Sequence, residues 1–306
     1  MSNKKLLTLC FPTYNRGKYL LMQLERLASI PSPLWNDLRV FISDNCSSDE
    51  TMQIGQKYSE MKGLDIIYSR NETNLGMDGN FVTCFKAAET KYVWLLGDDD
   101  IILIEKLELI LKLLNSNEYG LMHLGMERSK NEEYTNYDNS ELFLREIGIW
   151  ISFISSNIVN AKYVKEINFE KYYGSFFTLI PLYLTALLSE RNNIMINVPV
   201  FDSGKDYGRN GGYNIAQVFA HNYLEIFKEY QDKGLISENT YMYEKKVTFD
   251  FVMPMVYYFV LRKRASNYKT EGTWRVLFRE YGFLPVVGRI IKIILNAIEN
   301  KIKAKL

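Results

Sequence analysis

Tyr92-Val93-Trp94-Leu95-Leu96-Gly97-Asp98-Asp99-Asp100 is the stretch that decides the fold of this 306-residue chain. Five apolar residues in a row read as a buried strand, and that strand delivers three consecutive carboxylates into a turn. Adjacent like charges repel and cannot all be buried cheaply. A hard cation relieves them, because Mg²⁺ and Mn²⁺ prefer carboxylate oxygens. One aspartate would suffice to cap the helix that follows, so three point to a metal site and to a phosphate on that metal.

Outward from this turn, strand-like and helix-like segments alternate. Leu6 to Phe11, Leu38 to Ile42, Leu64 to Tyr68 and Gly120 to Leu124 read as further strands. Tyr19 to Ile30, Gly76 to Ala88 and the Ile104-Leu107-Ile110-Leu111-Leu114 series carry apolar residues at helical spacing. Such alternation predicts an α/β fold with a mostly parallel sheet covered on both faces. Ligands of these sheets bind beyond the carboxyl ends of the strands. The turns Thr13-Tyr14-Asn15-Arg16, Ser43-Asp44-Asn45 and Asp98-Asp99-Asp100 all fall on that edge. After residue 125 the pattern loosens. Glu127 to Ser140 reads as a loop, Phe153 to Val159 as a strand, Phe176 to Leu188 as a buried helix that Pro181 kinks, and Asn193 to Phe201 as a strand. Asp202 to Gly212 is glycine-rich and predicts an active-site lid. From residue 214 onward the chain reads as helix, over 214–232, 238–263, 271–281 and 285–305. The domain expectation is a catalytic α/β domain over 1–210 and a helical region over 211–306.

Composition narrows the classes. A formal charge of +1 gives no global field for nucleic acid. Cys10, Cys46 and Cys84 are too few and scattered for a disulfide framework or a zinc site. The two histidines, His123 and His221, argue against a His-centred hydrolase. The Leu6–Phe11 run is too short for a signal-peptide core, and no stretch reaches the roughly 18 uncharged apolar residues of a membrane span. The expected location is the cytoplasm.

The motifs then become specific in combination. Phe11-Pro12-Thr13-Tyr14-Asn15-Arg16, Ser43-Asp44-Asn45-Cys46-Ser47-Ser48-Asp49, Arg70-Asn71 with Asn74-Leu75-Gly76 and Asn80, and Leu96-Gly97-Asp98-Asp99-Asp100 resemble, in that order, the motifs of family 2 glycosyltransferases. The resemblance covers residues 5–115 well, 150–210 loosely and the C-terminal hundred hardly at all. It implies the GT-A fold, a Rossmann-like mostly parallel sheet, and transfer of a sugar from a nucleotide-sugar donor with inversion, assisted by Mg²⁺ or Mn²⁺. It further implies that Pro12, Thr13 and Tyr14 cradle the nucleotide base, with Arg16 in the same nucleotide-binding turn. Asp44 would accept the base's imino hydrogen and Arg70 would reach the phosphates. Asp98 and Asp99 would belong to the nucleotide site, and Asp98 and Asp100, at Asp-x-Asp spacing, would hold the metal. Gly97 stands where the family usually has an acid, which leaves the individual roles of the three aspartates open.

The general base is not evident. The segment where the resemblance places it, Gly174-Ser175-Phe176-Phe177-Thr178, holds no acid. Asp202, Asp206, Glu170 and Glu190 are the alternatives, two of them in the expected lid, where Arg209 would hold diphosphate. Phe153-Ile154-Ser155-Ser156-Asn157 adds a looser likeness to transferases of O-antigen or capsule assembly, including abequosyltransferase-like members. The implied acceptor is a saccharide, lipid-linked in such pathways. Val287, Ile290, Ile291, Ile294, Ile298 and Ile302 form one face of a C-terminal helix decorated with Arg and Lys, which fits either a peripheral contact with the inner face of the cell membrane or packing on protein. Two other classes stay open: a non-catalytic nucleotide-sugar-binding module, which the missing base would explain, and a nucleotidyltransferase, against which the first turn lacks a Gly-rich phosphate loop.

Overall fold

The computed structural model describes residues 5–125, 132–202 and 211–303. The chain divides into two compact units, Met1–Asp206 and Tyr207–Leu306.

The first unit is built on an eight-stranded sheet. Its elements run β1 (Leu7–Thr13), α1 (Gly17–Ala28), β2 (Leu38–Asp44), α2 (Thr51–Ser59), β3 (Ile66–Arg70), α3 (Gly76–Ala87), β4 (Tyr92–Leu95), β5 (Ile101–Ile102), α4 (Ile104–Ser116), β6 (Leu121–Leu124), β7 (Tyr134–Tyr137), α5 (Ser140–Ile147), β8 (Asn157–Asn160), α6 (Ile180–Ser189), β9 (Asn193–Ile196) and β10 (Phe201–Asp202). The sheet order is β3-β2-β1-β4-β8-β6-β9-β7, with β5 and β10 paired separately. Pairs β3–β2, β2–β1, β1–β4 and β6–β9 are parallel. Pairs β4–β8, β8–β6 and β9–β7 are antiparallel.

Residue alternation places the layers. Leu7, Leu9 and Phe11 of β1 join Leu20, Leu24 and Leu27 of α1 and Leu107, Ile110 and Leu114 of α4 in one core. Cys10 points the other way, its thiol 3.5 Å from the Cys84 carbonyl of α3. A strand buried on both faces needs the continuous apolar run that Leu6–Phe11 supplies. The chain winds outward from β1 through β2 to β3 and then returns to the other side of β1 as β4. That reversal opens a crevice between the ends of β1 and β4, so the Thr13 and Gly97 turns flank it.

Several boundaries differ from the sequence reading. The segment expected as one strand over 153–159 starts with a 3₁₀ turn at Ile154–Ser156 before β8. Pro181 does not kink a helix but sits in the first turn of α6, where its missing N–H costs nothing. The expected strand over 193–201 splits into β9 and β10.

The second unit has β11 (Gly211–Asn214), a π-helical turn over Ala216–Asn222, α7 (Tyr223–Asp232), α8 (Glu238–Val256), β12 (Asn267–Lys269), α9 (Thr273–Tyr281) and α10 (Phe283–Lys303). Ser237 caps α8, accepting from the Thr240 amide at 3.2 Å. Val252, Met253 and Val256 pack with Val276, Leu277 and Val286 in its core.

Candidate functional site

A cavity of about 500 Å³ opens at the β1/β4 crevice. The end of β1 supplies Pro12 and Thr13, and the turn after it Tyr14 and Arg16. The turn after β4 supplies Gly97, Asp98 and Asp99. The start of α3 closes the far side with Gly76, Met77, Asn80 and Phe81. Tyr14 is 45% exposed at this wall, an aromatic face free to take a planar ligand.

The three aspartates point in different directions. Asp98 is 6% exposed; its Oδ2 accepts from Thr13 Oγ1 at 3.0 Å and its Oδ1 lies 2.6 Å from Arg16 Nε. Asp99 Oδ2 lies 2.9 Å from Arg16 Nη2, and the same guanidinium sits 4.3 Å over the Tyr19 ring. The guanidinium thus bridges the two carboxylates. Asp100 turns away from both. Its Oδ2 accepts from Ser155 Oγ at 2.5 Å, and Ser155 in turn accepts from the Gly97 amide at 2.8 Å. Gln23, buried on α1, donates to the Asp98 carbonyl at 3.4 Å and to the Asp100 carbonyl, which fixes the turn from below.

Burial dominates the electrostatics. It pushes the Asp98 pKa from the ordinary 3.8 up to about 7; Arg16 and Thr13 oppose the rise and Asp99 adds to it.

Gly97 explains the departure from the family pattern. A Cβ there would stand 2.9 Å from Asp100 Oδ2, 3.2 Å from Asp99 Oδ1 and 3.4 Å from Ser155 Oγ. Three oxygens thus converge on the space that the missing side chain leaves. An all-oxygen donor set suits Mg²⁺ or Mn²⁺, and the residues fit such an ion, although no three acidic, His or Cys side chains among the described residues cluster by themselves. Asp99 and Asp100 face this space, and Asp98 is turned instead toward Thr13 and Arg16.

Two expected nucleotide contacts lie off the cavity wall. Asp44 is fully buried. Its oxygens accept from the Ser47 amide at 2.8 Å and the Tyr68 hydroxyl at 2.6 Å, which fastens the end of β2. Arg70 donates to the Ser47 carbonyl at 2.9 Å and lies along Met52 and Cys46, outside the residues that line the cavity. Asparagines do the remaining work. Asn45 donates to Asn74 Oδ1 at 2.8 Å and accepts from the Leu75 amide at 2.9 Å. Asn80 accepts from Ser43 Oγ at 2.7 Å. Together they fix the start of α3 against β2.

The four base candidates separate. Glu190 pairs with Lys162 and accepts from the Tyr163 hydroxyl, away from the cavity. Glu170 is exposed in a 3₁₀ turn and lines no part of it. Asp202, exposed on β10, is also outside the cavity lining, but it sits directly opposite Ile101 of β5, one residue past the aspartate run. Asp206, Arg209 and the rest of 203–210 fall outside the described residues; of the expected lid, Asp202 ends β10 and Gly211 and Gly212 begin β11. A carboxylate unnoticed in the sequence does reach the Gly174–Thr178 segment: Asp78 of α3 accepts from the Gly174 amide at 2.8 Å and from the Thr178 hydroxyl. No local pattern marks it, since its partners lie about a hundred residues away. Ser155 and Gln23 were likewise invisible as site residues. His123 is buried, 2.9 Å from Asn157, and the half-buried His221 lies 2.9 Å from Glu280; neither lines the cavity.

A mostly parallel α/β sheet with its cavity at the topological switch and acidic residues on its rim defines a fold of the GT-A type. Residues 8–178 match the family described as Glycosyl transferase family 2, and the chain belongs to that family. It is 31% identical over 191 residues to abequosyltransferase RfbV of Salmonella typhimurium, covering 55% of this chain and 56% of that protein. It is 37% identical over 98 residues to the poly(ribitol-phosphate) beta-N-acetylglucosaminyltransferase TarS of Staphylococcus aureus, covering 32% of this chain and 17% of TarS. The chain thus spans about half of the first relative and less of the second. The structure of S. aureus TarS 1-349 in complex with UDP-GlcNAc superposes with a TM-score of 0.58 at 17% identity, covering 94% of this chain and 79% of that one. The mannosyltransferase PcManGT of Pyrobaculum calidifontis, in complex with GDP-Man and Mn²⁺, gives 0.58 at 13% identity, covering 98% and 88%. These likenesses establish the fold.

Proposed function

We propose that the chain is an inverting glycosyltransferase that moves a sugar from a nucleotide-sugar donor to a saccharide acceptor carried on a lipid at the inner face of the cell membrane, in the synthesis of a bacterial surface polysaccharide. The carrying observation is the cavity itself, with an exposed aromatic ring at one wall and a cation between two carboxylates at the other. Tyr14 stacks on the nucleotide base between Pro12 and the start of α3. Asp44 acts at one remove, as a positioning residue that holds the Ser47 turn. Arg16 carries the positive charge nearest the crevice and binds the diphosphate. Asp99 and Asp100, with Ser155, would hold a divalent cation, which supplies neutralising charge to the departing diphosphate.

Asp202 is the base this geometry favours, because the β5–β10 pair carries it to the edge of the aspartate turn. It takes the proton of the acceptor hydroxyl while that oxygen attacks the anomeric carbon. The anomeric carbon–oxygen bond breaks, the nucleoside diphosphate leaves with the electron pair, and the configuration inverts. In this reading the first unit binds the donor and performs the chemistry.

A thermal-shift panel of UDP, GDP, dTDP and CDP with and without Mn²⁺ tests it. At least one nucleotide should stabilise the protein in a metal-dependent manner. If none does, the donor site is misassigned.

A further inference from the structure

Charge is divided unevenly along this nearly neutral chain. Residues 262–306 hold eleven Lys and Arg against three Asp and Glu, a net of +8, while residues 1–261 hold 26 against 33, a net of −7. The basic segment coincides with the last two helices and the loop before them. Arg262, Lys263 and Arg264 are all exposed in that loop, which follows Tyr258 and Leu261, 39% and 43% exposed.

Helix α10 carries two apolar faces. Val286, Ile290 and Ile293 pack into the core of the second unit. Leu284, Ile291, Leu295 and Ile298 are 80%, 52%, 59% and 50% exposed. At 100° per residue these four fall within an arc of about 60°, a continuous stripe rather than scattered surface residues. Exposed Phe283 begins the helix just after Gly282, where α9 and α10 meet at 113°. That bend keeps the pair from forming one straight span, and no single described helix is long and apolar enough to cross a membrane. Lys292 is exposed beyond the stripe, and Arg289 is held by Asp250 at 2.9 Å.

An exposed apolar stripe alone does not name its occupant; the charge does. A second copy seated on α10 would bring one +8 segment against another, and like charges across an interface are unfavourable. A surface of anionic headgroups offers hydrocarbon for the stripe and negative charge for its flanks. We infer that α10, within this basic segment, docks this protein on an anionic lipid bilayer, with α10 lying in the plane of the headgroups. The inference rests on the reading above, in which the acceptor rides on lipid, and it fails separately from the donor site.

Co-sedimentation of the whole protein with vesicles tests it. One set is phosphatidylcholine alone; the other contains about one-third phosphatidylglycerol. Partitioning should be at least about tenfold stronger on the anionic set and should fall about tenfold between ~0.1 M and ~0.5 M NaCl. Leu284→Gln with Leu295→Gln should abolish it and leave the melting temperature and the nucleotide-induced shift unchanged, since both side chains face solvent. Equal binding to the two sets, or binding to neither, overturns the proposal. So does a dimer in light scattering that the double variant dissociates while vesicle binding persists. Loss of the nucleotide shift in the unaltered protein would instead indict the donor site.

Discussion

Replacing Gly97 with alanine separates the oxygen cradle from the rest of the cavity. The new Cβ would stand 2.9 Å from Asp100 Oδ2 and 3.2 Å from Asp99 Oδ1, on the point where these oxygens converge. Asp100 cannot easily yield, being 5% exposed and tied to Ser155 at 2.5 Å. Overpacking of this kind costs about 1–3 kcal/mol. The stiffer unfolded chain returns about 0.4–1 kcal/mol. The net is a loss of about 1 kcal/mol, or about 2–4 °C in melting temperature. The effect on metal should be larger. A nucleotide–Mn²⁺ pair at one hundred times its dissociation constant stabilises by about 2.7 kcal/mol, which corresponds to about 5–10 °C for a chain of this size. In Gly97→Ala most of that metal-dependent gain should vanish, while any shift from nucleotide alone remains. Differential scanning fluorimetry over an Mn²⁺ series reads both. A variant that keeps the full gain would show that the cation does not sit in the cradle.

Three further outcomes follow from the same geometry. Tyr14→Ala removes an exposed ring, so it should weaken nucleotide binding by about 1–3 kcal/mol, the typical value of base stacking, without lowering the melting temperature; calorimetric titration checks this. Asp202→Asn should lower kcat by about 10²-fold or more with the donor dissociation constant unchanged, and equal activity would remove Asp202 as the base. The third concerns pH. The folded pKa of Asp98, about 7, lies above its ordinary 3.8, so the fold favours the protonated acid. Its contribution to stability is full below about pH 4 and is lost as pH rises through about 7, by up to about 4 kcal/mol. Asp98→Asn should remove that portion of the slope in metal-free urea melts across this range, and an unchanged slope would contradict the burial effect.

The turns at Thr13, Asp44 and Asp98 were legible because each is a polar break after an apolar run, and the strand–helix alternation put them on one edge. What each side chain does there was not. The Asp44 carboxylate looks outward in sequence, but Tyr68, twenty-four residues on, claims one oxygen. Asp98 and Asp100 have Asp-x-Asp spacing, yet Thr13 and Arg16 draw one toward β1 while Ser155 draws the other toward β8. These partners come from strands adjacent only in the folded sheet. Glycine at 97 reads as a missing acid in the sequence; in the structure it is the residue that lets two carboxylates and a hydroxyl approach one point. The β5–β10 pair escaped notice because two-residue strands carry no period, and with it went the placement of Asp202 beside Ile101.

The donor site is tested most directly by a crystal structure of the protein with the nucleoside diphosphate that stabilises it best, together with Mn²⁺. The base should lie against Tyr14, the diphosphate should reach Arg16, and anomalous density for manganese should appear beside Asp99 and Asp100. Nucleotide density outside the β1/β4 crevice, or manganese bound away from both carboxylates, would contradict it.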